Sequence, residues 1–287
     1  MFDKRIGFSL DNKYFGKGWI VPYDRKQTYG KVAITCKGSL ISGELANMVT
    51  LEIINYFPDR QIVKSNEFIP CEIALGYGDN PALIGTIKGE VNNVYTEYTG
   101  VDSKTVIQIN TGVSKNAYSQ NISLKYQAGS SINPALMQIA TALGYTVRAT
   151  EAYMLKTPID FQGCVMDAIS KIKKIVEPDG YALQVDNNVI SFFKEKYGVS
   201  GITTTIKNIT APVRLNDGGI CVSTPFDPRI TVGSSIRISP RYYINNAGIF
   251  TRNVYEEYYV YQIDFAFSTA GSTNNMQIYG SAKDILA

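Results

Sequence analysis

The chain has 287 residues, of which 45% are hydrophobic, and its formal net charge is +3. This length fits two or three packed units, and the small net charge excludes a chain-wide basic field for nucleic-acid binding. The sequence contains no histidine. It therefore excludes Ser-His-Asp and Cys-His catalysis and any metal site built on histidine ligands.

The first part of the chain alternates apolar and polar side chains with a period of two. The alternation runs through residues 49–54, 69–75 and 105–109, and glycine-rich turn sequences separate the runs. Period two predicts strands with one buried face, and several short strands at this spacing favour a closed barrel. We predict a first β-barrel over residues 31–120, preceded by an N-terminal arm or extra strands over residues 1–30.

The middle of the chain changes to a helical period. An apolar stripe predicts a helix that is capped by Ser131 or Asn133 and ends at Gly144. A second stripe predicts a helix over residues 163–176, followed by a β-hairpin with two asparagines at its turn. We predict a small α+β unit over residues 121–198.

The last part of the chain returns to period two. The clearest alternation runs from Tyr259 through Tyr261 and Ile263 to Phe267, which predicts a strand with these side chains on one face. We predict a second β-barrel over residues 199–287. The predicted fold class is therefore mainly β, with two β-barrels flanking a small α+β insert.

Four cysteines lie far apart and form no Cys-x-x-Cys pair: Cys36, Cys71, Cys164 and Cys221. We interpret them as buried free thiols, with Cys164 on a helical face, which fits folding in a reducing compartment. No stretch approaches the roughly 20 apolar residues of a membrane helix, and the N-terminus shows no signal region. We expect a soluble chain with no membrane anchor, no cofactor and no metal.

No pair of carboxylates is spaced for catalysis. Glu256 and Glu257 are neighbours in a strand-like segment, so their side chains point to opposite faces and cannot bracket one glycosidic bond. The glycines of residues 16–18 and 76–78 do not match a phosphate-binding loop. We predict that the chain is not an enzyme and that it recognises no nucleic-acid sequence.

An ordered set of motifs runs along the chain: the strand 49–55, the strand that ends in Gly76-Tyr77-Gly78, the strand 83–91, the strand, helices and hairpin of the middle unit, and the turn and strand of residues 226–238. This set resembles the baseplate hub proteins of bacteriophage tails, of the Mu-like or late-control type. The first three strands resemble the first barrel of that family, the middle unit resembles its next part, and residues 226–238 resemble its Asn-Pro turn and following strand. The departures are Phe226-Asp227 in place of Leu-Asn, Val232 in place of proline, and residues 1–30, which have no counterpart in that family.

This resemblance implies tail-tube-like barrels in a structural virion protein of the tail baseplate, made and assembled in the host bacterial cytoplasm. The hub of that family links the tail tube above to the central spike below and lines the DNA exit channel. Because the tube is sixfold and the spike threefold, three chains with two barrels each adapt one symmetry to the other. The implied partners are two further copies of the chain, the tube protein, the spike protein and other baseplate proteins.

An aromatic cluster near the C-terminus is the candidate interface, because tyrosine is enriched at protein–protein contacts. The predicted interface residues are Phe226, Arg229, Tyr242, Tyr243, Phe250 and Tyr255. Two alternative functions are a β-rich glycan-binding module with exposed tyrosines and a virion-associated cell-wall module. Sugar binding on glycan arrays would favour the first, and cell-wall release that depends on one carboxylate would favour the second.

Overall fold

The structure is a computed structural model, and the described residues are 4–12, 16–20, 33–55, 69–77, 83–149, 152–195, 203–207, 209–211, 213–216, 219–227, 229–238, 243–245, 248–250 and 256–282. Twenty strands and three α-helices lie in these ranges. The fold is mainly β, as predicted. Fifteen of these strands fall into two groups, which lie in the chain on either side of a helical unit that contains the other strands.

The first strand group contains β1 (Lys4–Asn12), β2 (Gly16–Ile20), β3 (Ile34–Ile41), β4 (Met48–Ile54), β5 (Ile69–Tyr77), β6 (Leu83–Thr99) and β7 (Asp102–Asn110). These strands pair antiparallel in the order β3-β4-β7-β6-β5-β1-β2. The predicted alternation is confirmed in β4, which buries Val49, Leu51 and Ile53. The described part of residues 1–30 forms extra strands, and β1 buries Ile6 and Phe8 against the sheet.

The helical unit contains α1 (Asn116–Ser119), β8 (Asn121–Tyr126), α2 (Asn133–Leu143), β9 (Thr146–Ala149), β10 (Ile159–Cys164), α3 (Val165–Val176), a 3-10 turn (Glu177–Asp179), β11 (Tyr181–Asp186) and β12 (Val189–Lys194). Helix α3 buries its predicted stripe, and Gly144 ends α2 with a positive φ of 71°, which suits glycine. Of the two predicted caps of α2, Asn133 is the first helical residue, whereas the Ser131 hydroxyl accepts a hydrogen bond from the Asn133 N–H at 3.3 Å and so satisfies an N–H of the first turn.

The second strand group contains β13 (Thr203–Ile206), β14 (Val213–Asn216), β15 (Gly219–Thr224), β16 (Ser235–Ile238), β17 (Tyr243–Asn245), β18 (Gly248–Phe250), β19 (Glu256–Ser268) and β20 (Asn274–Ala282). Its order is β18-β17-β14-β15-β20-β19, and β16 pairs with both β13 and β19. The strands bury one face, on which Ile263, Phe267 and Ile278 have no exposed surface.

Strand β19 joins the two strand groups into one sheet. Its first residues, 256–259, pair with β16, and residues 262–268 pair with β3 of the first group. Strand β20 runs along the opposite edge of β19. One buried apolar cluster accordingly contains residues of both groups, while the helical unit has its own cluster. The two predicted barrel regions are therefore not separate sheets, because β3 and β19 share backbone hydrogen bonds.

The cysteines depart in part from their expected placement. All four are free, and Cys36 and Cys71 are buried as predicted. Cys164 ends β10 and precedes α3, so it does not lie on a helical face, and both Cys164 and Cys221 are only partly buried. Burial raises the pKa of the Cys36 and Cys71 thiols above their ordinary value, which makes these two thiols poor nucleophiles.

Candidate functional site

The joined sheet presents a polar face opposite its buried face. We call this surface the polar face, and it consists of Lys37, Ser39, Thr50, Glu52, Glu97, Lys104 and Asp264. Strand pairing places these residues side by side, because Ser39 lies opposite Asp264 and Lys37 lies opposite Thr50. Alternation within each strand sends their neighbours to the opposite face of the sheet.

Ion pairs and hydrogen bonds run across the strands of the polar face. Lys37 Nζ lies 2.6 Å from Glu52 Oε1, and Lys104 Nζ lies 2.6 Å from Glu97 Oε2 and 3.9 Å from Glu52 Oε1. The Ser39 hydroxyl donates to Asp264 Oδ1 at 2.6 Å. The hydrogen bond to Glu97 raises the pKa of Lys104. These contacts fix the directions of exposed side chains and leave the surface hydrophilic.

The buried face is packed too closely to tolerate a larger residue at its centre. A Cβ atom on Gly38 would lie 2.9 Å from Cε1 of Phe265 and 3.0 Å from Cγ2 of Val49. The ring of Phe265 therefore occupies the space that a side chain of residue 38 would need. This packing lies where β3 of the first group meets β19 of the second, so it stabilises the joint between the groups.

A β-bulge lies at Tyr261, between the two pairing regions of β19. The register against β20 shifts between Val260 and Gln262, and Tyr261 is 37% exposed while Val260 and Ile263 have no exposed surface. The prediction that Tyr261 and Ile263 share one face is therefore wrong. A bulge inserts one extra residue into a strand, so the alternation of inward and outward side chains shifts by one residue beyond it. Here the bulge lies between the part of β19 that pairs with β16 and the part that pairs with β3.

The predicted interface residues divide into three kinds. Phe226 is only 6% exposed, and its ring centroid lies 5.2 Å from that of Phe265 and 5.4 Å from that of Phe267. Because Phe226 fills the core of its own chain, its side chain is not free to form an interface. Arg229 is exposed, and its guanidinium Nε donates to Asp227 Oδ1 at 2.9 Å, which lowers the pKa of that carboxyl.

Two of the other aromatic interface residues lie in strands at the edge of the sheet. Tyr243 and Phe250 are opposite each other in the β17–β18 pair, which ends the strand order of the second group. Tyr242 and Tyr255 lie outside the described residues. Their part in an interface stays a prediction.

Several hydrogen bonds connect the helical unit to the first strand group. The Ser114 N–H donates to the Tyr145 hydroxyl at 3.0 Å, and the Lys115 N–H donates to Glu90 Oε2 at 3.1 Å. A groove of about 430 Å³ lies nearby and is lined mainly by apolar atoms, including those of Leu45, Val113 and Tyr118. These polar contacts hold the connecting residues beside the groove, and the unit also has an apolar attachment, because Phe193 of β12 packs against Tyr259 of β19 with ring centroids 6.2 Å apart.

The groups that could support chemistry are engaged elsewhere or stand apart. Glu257 of β19 forms an ion pair with Arg237 of β16. One member of the Glu256–Glu257 pair is therefore already engaged. Among the described residues, no three histidine, cysteine, aspartate or glutamate side chains are grouped to hold a metal ion. No helix in the described ranges is long and apolar enough to cross a membrane.

No protein-family model matches the sequence, and no curated protein gives a significant match. Solved structures do match, and they define the class: the chain has the fold of phage tail proteins. The tail protein from Neisseria meningitidis has a TM-score of 0.62 at 8% identity, with 99% of this chain and 98% of that chain covered. The 43 kDa tail protein of prophage MuSo2 from Shewanella oneidensis has a TM-score of 0.56 at 11% identity, over 99% and 98%.

Proteins of type VI secretion share the same fold. An Escherichia coli component of that system, described as similar in structure to T4 tail proteins, has a TM-score of 0.54 at 9% identity. The match covers 88% of this chain and 74% of that chain. A chain of the Francisella PdpA–VgrG complex has a TM-score of 0.56 at 10% identity, and this chain spans 58% of it. The match to the two tail proteins covers 99% of this chain and shows a shared fold.

Proposed function

We propose that the chain is the hub of a phage tail baseplate, where it links the tail tube to the central spike. The observation that carries this proposal is β19, which pairs with β16 in one strand group and with β3 in the other. A single rigid strand that runs through both groups keeps their relative position fixed. An adaptor between two stacked assemblies needs this property, because it must transmit force without bending at a linker.

The proposed assembly is a ring of three chains. Each chain carries two strand groups, so three copies present six such groups on a closed ring, which suits a sixfold tube and a threefold spike. Closed rings form when one surface of a subunit meets a different surface of its neighbour. The proposed contact surface includes Arg229 and the Tyr243–Phe250 pair at the end of the strand order, together with Tyr242 and Tyr255.

The proposed lining of the DNA exit channel is the polar face. Two lysines of this face, Lys37 and Lys104, stand against three carboxylates, Glu52, Glu97 and Asp264. The excess of one carboxylate leaves no cationic track that would hold a phosphate backbone. A duplex could pass such a surface without stable binding, and this property supports a structural channel rather than a nucleic-acid-binding site.

The proposed role is structural and not enzymatic. The chains that match over their whole length are described as tail proteins, and the Glu257 carboxylate is engaged by Arg237. Purified protein should release no sugar or peptide from peptidoglycan in a zymogram. Turnover that follows the protein through purification and disappears with one carboxylate would instead assign a cell-wall function.

The position in the tail tests the hub proposal. A small tag on the chain should appear in electron micrographs of purified tails only at the end of the tube where the spike attaches. An untagged tail serves as the matched control. Tag density that repeats along the tube, or lies on peripheral fibres, would contradict the proposal.

A further inference from the structure

The turn of the β11–β12 hairpin is fixed against the first strand group. Asn187 and Asn188 have φ values of 51° and 63°, the left-handed pair that a tight two-residue hairpin turn requires. The Asn187 N–H donates to the Thr111 carbonyl at 3.3 Å, and the Lys88 N–H donates to Asn187 Oδ1 at 2.6 Å. The hairpin therefore contacts β6 and the end of β7 through its tip.

Asp186 lies at the base of this turn with its carboxyl group beside the Thr111 hydroxyl. Burial raises the pKa of Asp186 to about 6, although hydrogen bonds from Thr111 and Asn187 oppose the rise. The Asn187 side-chain amide donates to Asp186 Oδ2 at 3.1 Å. The carboxyl group therefore changes its charge near pH 6 in a partly buried position beside the Thr111 hydroxyl.

The Thr111 hydroxyl has a single proton and two acceptors within reach. It lies 3.4 Å from the Asn47 carbonyl and also bonds the Asp186 carboxyl group. A protonated Asp186 can donate to Thr111 Oγ1, which leaves the threonine proton for Asn47. An ionised Asp186 can only accept, so the threonine proton must turn away from Asn47 and a charge must be accommodated in a partly buried position.

The charged groups on the surrounding elements do not offset the negative charge of an ionised Asp186. Lys88 on β6 contacts the turn through its backbone, and its side chain is exposed. Glu90, two residues further on, accepts from Ser114 and Lys115. Lys194 and Glu195 lie at the far end of the hairpin from the turn. None of these side chains is among the causes of the Asp186 shift.

The interface beside Asp186 is also incompletely hydrogen-bonded. Gln184 lies two residues before Asp186 in β11 and therefore on the same face of the strand. Its side-chain Oε1 is buried and has no hydrogen-bond partner among the described residues. An unsatisfied buried carbonyl destabilises the closed contact, so this interface opens at a lower cost than a fully paired one.

We propose that residues 186–188 form a proton-sensitive latch that closes the helical unit onto the first strand group and loosens when Asp186 ionises. The latch lies between two structural units and not within one apolar cluster, so its opening leaves the core of each unit intact. This inference does not rest on the proposed hub function. It requires only the junction geometry and applies to the isolated chain.

Hydrogen exchange of the full chain tests the latch. The readout is the exchange rate of the Lys88 and Asn187 amides in the wild type divided by the rate in Asp186→Asn, measured from about pH 3 to about pH 8. Dividing by the variant at each pH removes the intrinsic base catalysis of exchange. The ratio should be close to one near the lower end of this range, rise between about pH 4 and about pH 6 and level off towards about 100 above that, because each unit of pKa shift corresponds to a factor of ten. The exposed Asp160→Asn variant should give a ratio near one at every pH.

A ratio for Asp186→Asn that stays flat with pH would overturn the latch. An equal rise at amides of the joined sheet, such as that of Ile263, would also overturn it, since the whole chain would then be loosening. If Asp186→Asn does not fold, the wild type alone gives the answer. Its Lys88 amide should lose protection relative to its Ile263 amide as the pH rises from about 4 to about 6, and parallel protection of the two amides would refute the proposal.

Discussion

The centre of β19 and the turn of the β11–β12 hairpin are both junctions, but opposite kinds of contact hold them. At β19 the two strand groups share backbone hydrogen bonds over an apolar face that includes Ile263 and Phe265, both at most 6% exposed. At the hairpin turn the contacts are a few polar groups around Asp186. Apolar packing is insensitive to pH, whereas the charge of a buried carboxyl group changes with pH. The joint between strand groups should therefore be permanent and the tip of the hairpin adjustable, while Ala182 and Phe193 at the base of the hairpin keep an apolar contact with Tyr259.

The largest effect is expected from a charge placed in the joint. Ile263→Asp should lower the free energy of unfolding by about 4 kcal/mol or more, because it buries an unpaired carboxylate and leaves a cavity. Tyr261→Asp is the matched control, and its cost should stay below about 1 kcal/mol because the bulge turns this residue to the surface. Urea denaturation measures both. Comparable losses would show that the bulge is misplaced and that Tyr261 belongs to the core.

A smaller effect is expected where β3 approaches β19. Gly38→Ala should destabilise the chain by about 1–3 kcal/mol, because the added methyl group overlaps the Phe265 ring and forces repacking. Ser39→Ala is the neighbouring control on the polar face, where the lost hydrogen bond is exposed and its effect should be marginal. Thermal melts of the two variants compare them directly. A Gly38→Ala variant as stable as the wild type would contradict the close packing of the joint.

At the hairpin junction a substitution is expected to stabilise the chain rather than destabilise it. Folding raises the pKa of Asp186 to about 6, so its ionisation costs stability as the pH rises from about 4 to 6, and the cost persists above that range. Asp186→Asn removes the charge and should stabilise the chain by about 3 kcal/mol at pH 8. Near pH 4 the two proteins should be equally stable. A variant that is less stable than the wild type at pH 8 would show that the carboxylate is satisfied where it lies.

The smallest effect is expected on the polar face. Lys104→Gln removes an exposed ion pair with Glu97, and such pairs contribute little in salt. The melting temperature in physiological salt should not change measurably. A clear decrease in the melting temperature would mean that the polar face helps to stabilise the joint. That result would contradict the contrast between the polar face and the buried face of the sheet.

The sequence was sufficient to predict the order of strands, helical unit and strands, because periods of 2 and 3.6 are local properties. It could not predict the sharing of β19, since the pairing of Phe267 with Cys36 depends on a contact across most of the chain. The bulge at Tyr261 was missed because a period of two continues through it in the sequence. The burial of Phe226 was missed because an aromatic residue in a turn gives no sign of which side it packs on.

The candidate site was less predictable than the fold. The polar face arises from register, which brings Lys104 beside both Glu52 and Glu97 although the three lie on different strands. The Asp186 junction gave one local signal, the Asn187-Asn188 turn, which fixes the tip of the hairpin but not the surface it meets. Contacts between units depend on the arrangement of whole units, and a single sequence carries no direct record of that arrangement.

The copy number of the chain in an assembled tail tests the central claim most directly. Three copies per tail, measured by mass spectrometry of purified tails against a chain of known stoichiometry, is the result that a ring-shaped hub predicts. Micrographs of the same particles should show a threefold ring with a central hole at the spike end of the tube. One copy or six copies per tail would contradict the hub, because neither number adapts a sixfold tube to a threefold spike with two strand groups per chain.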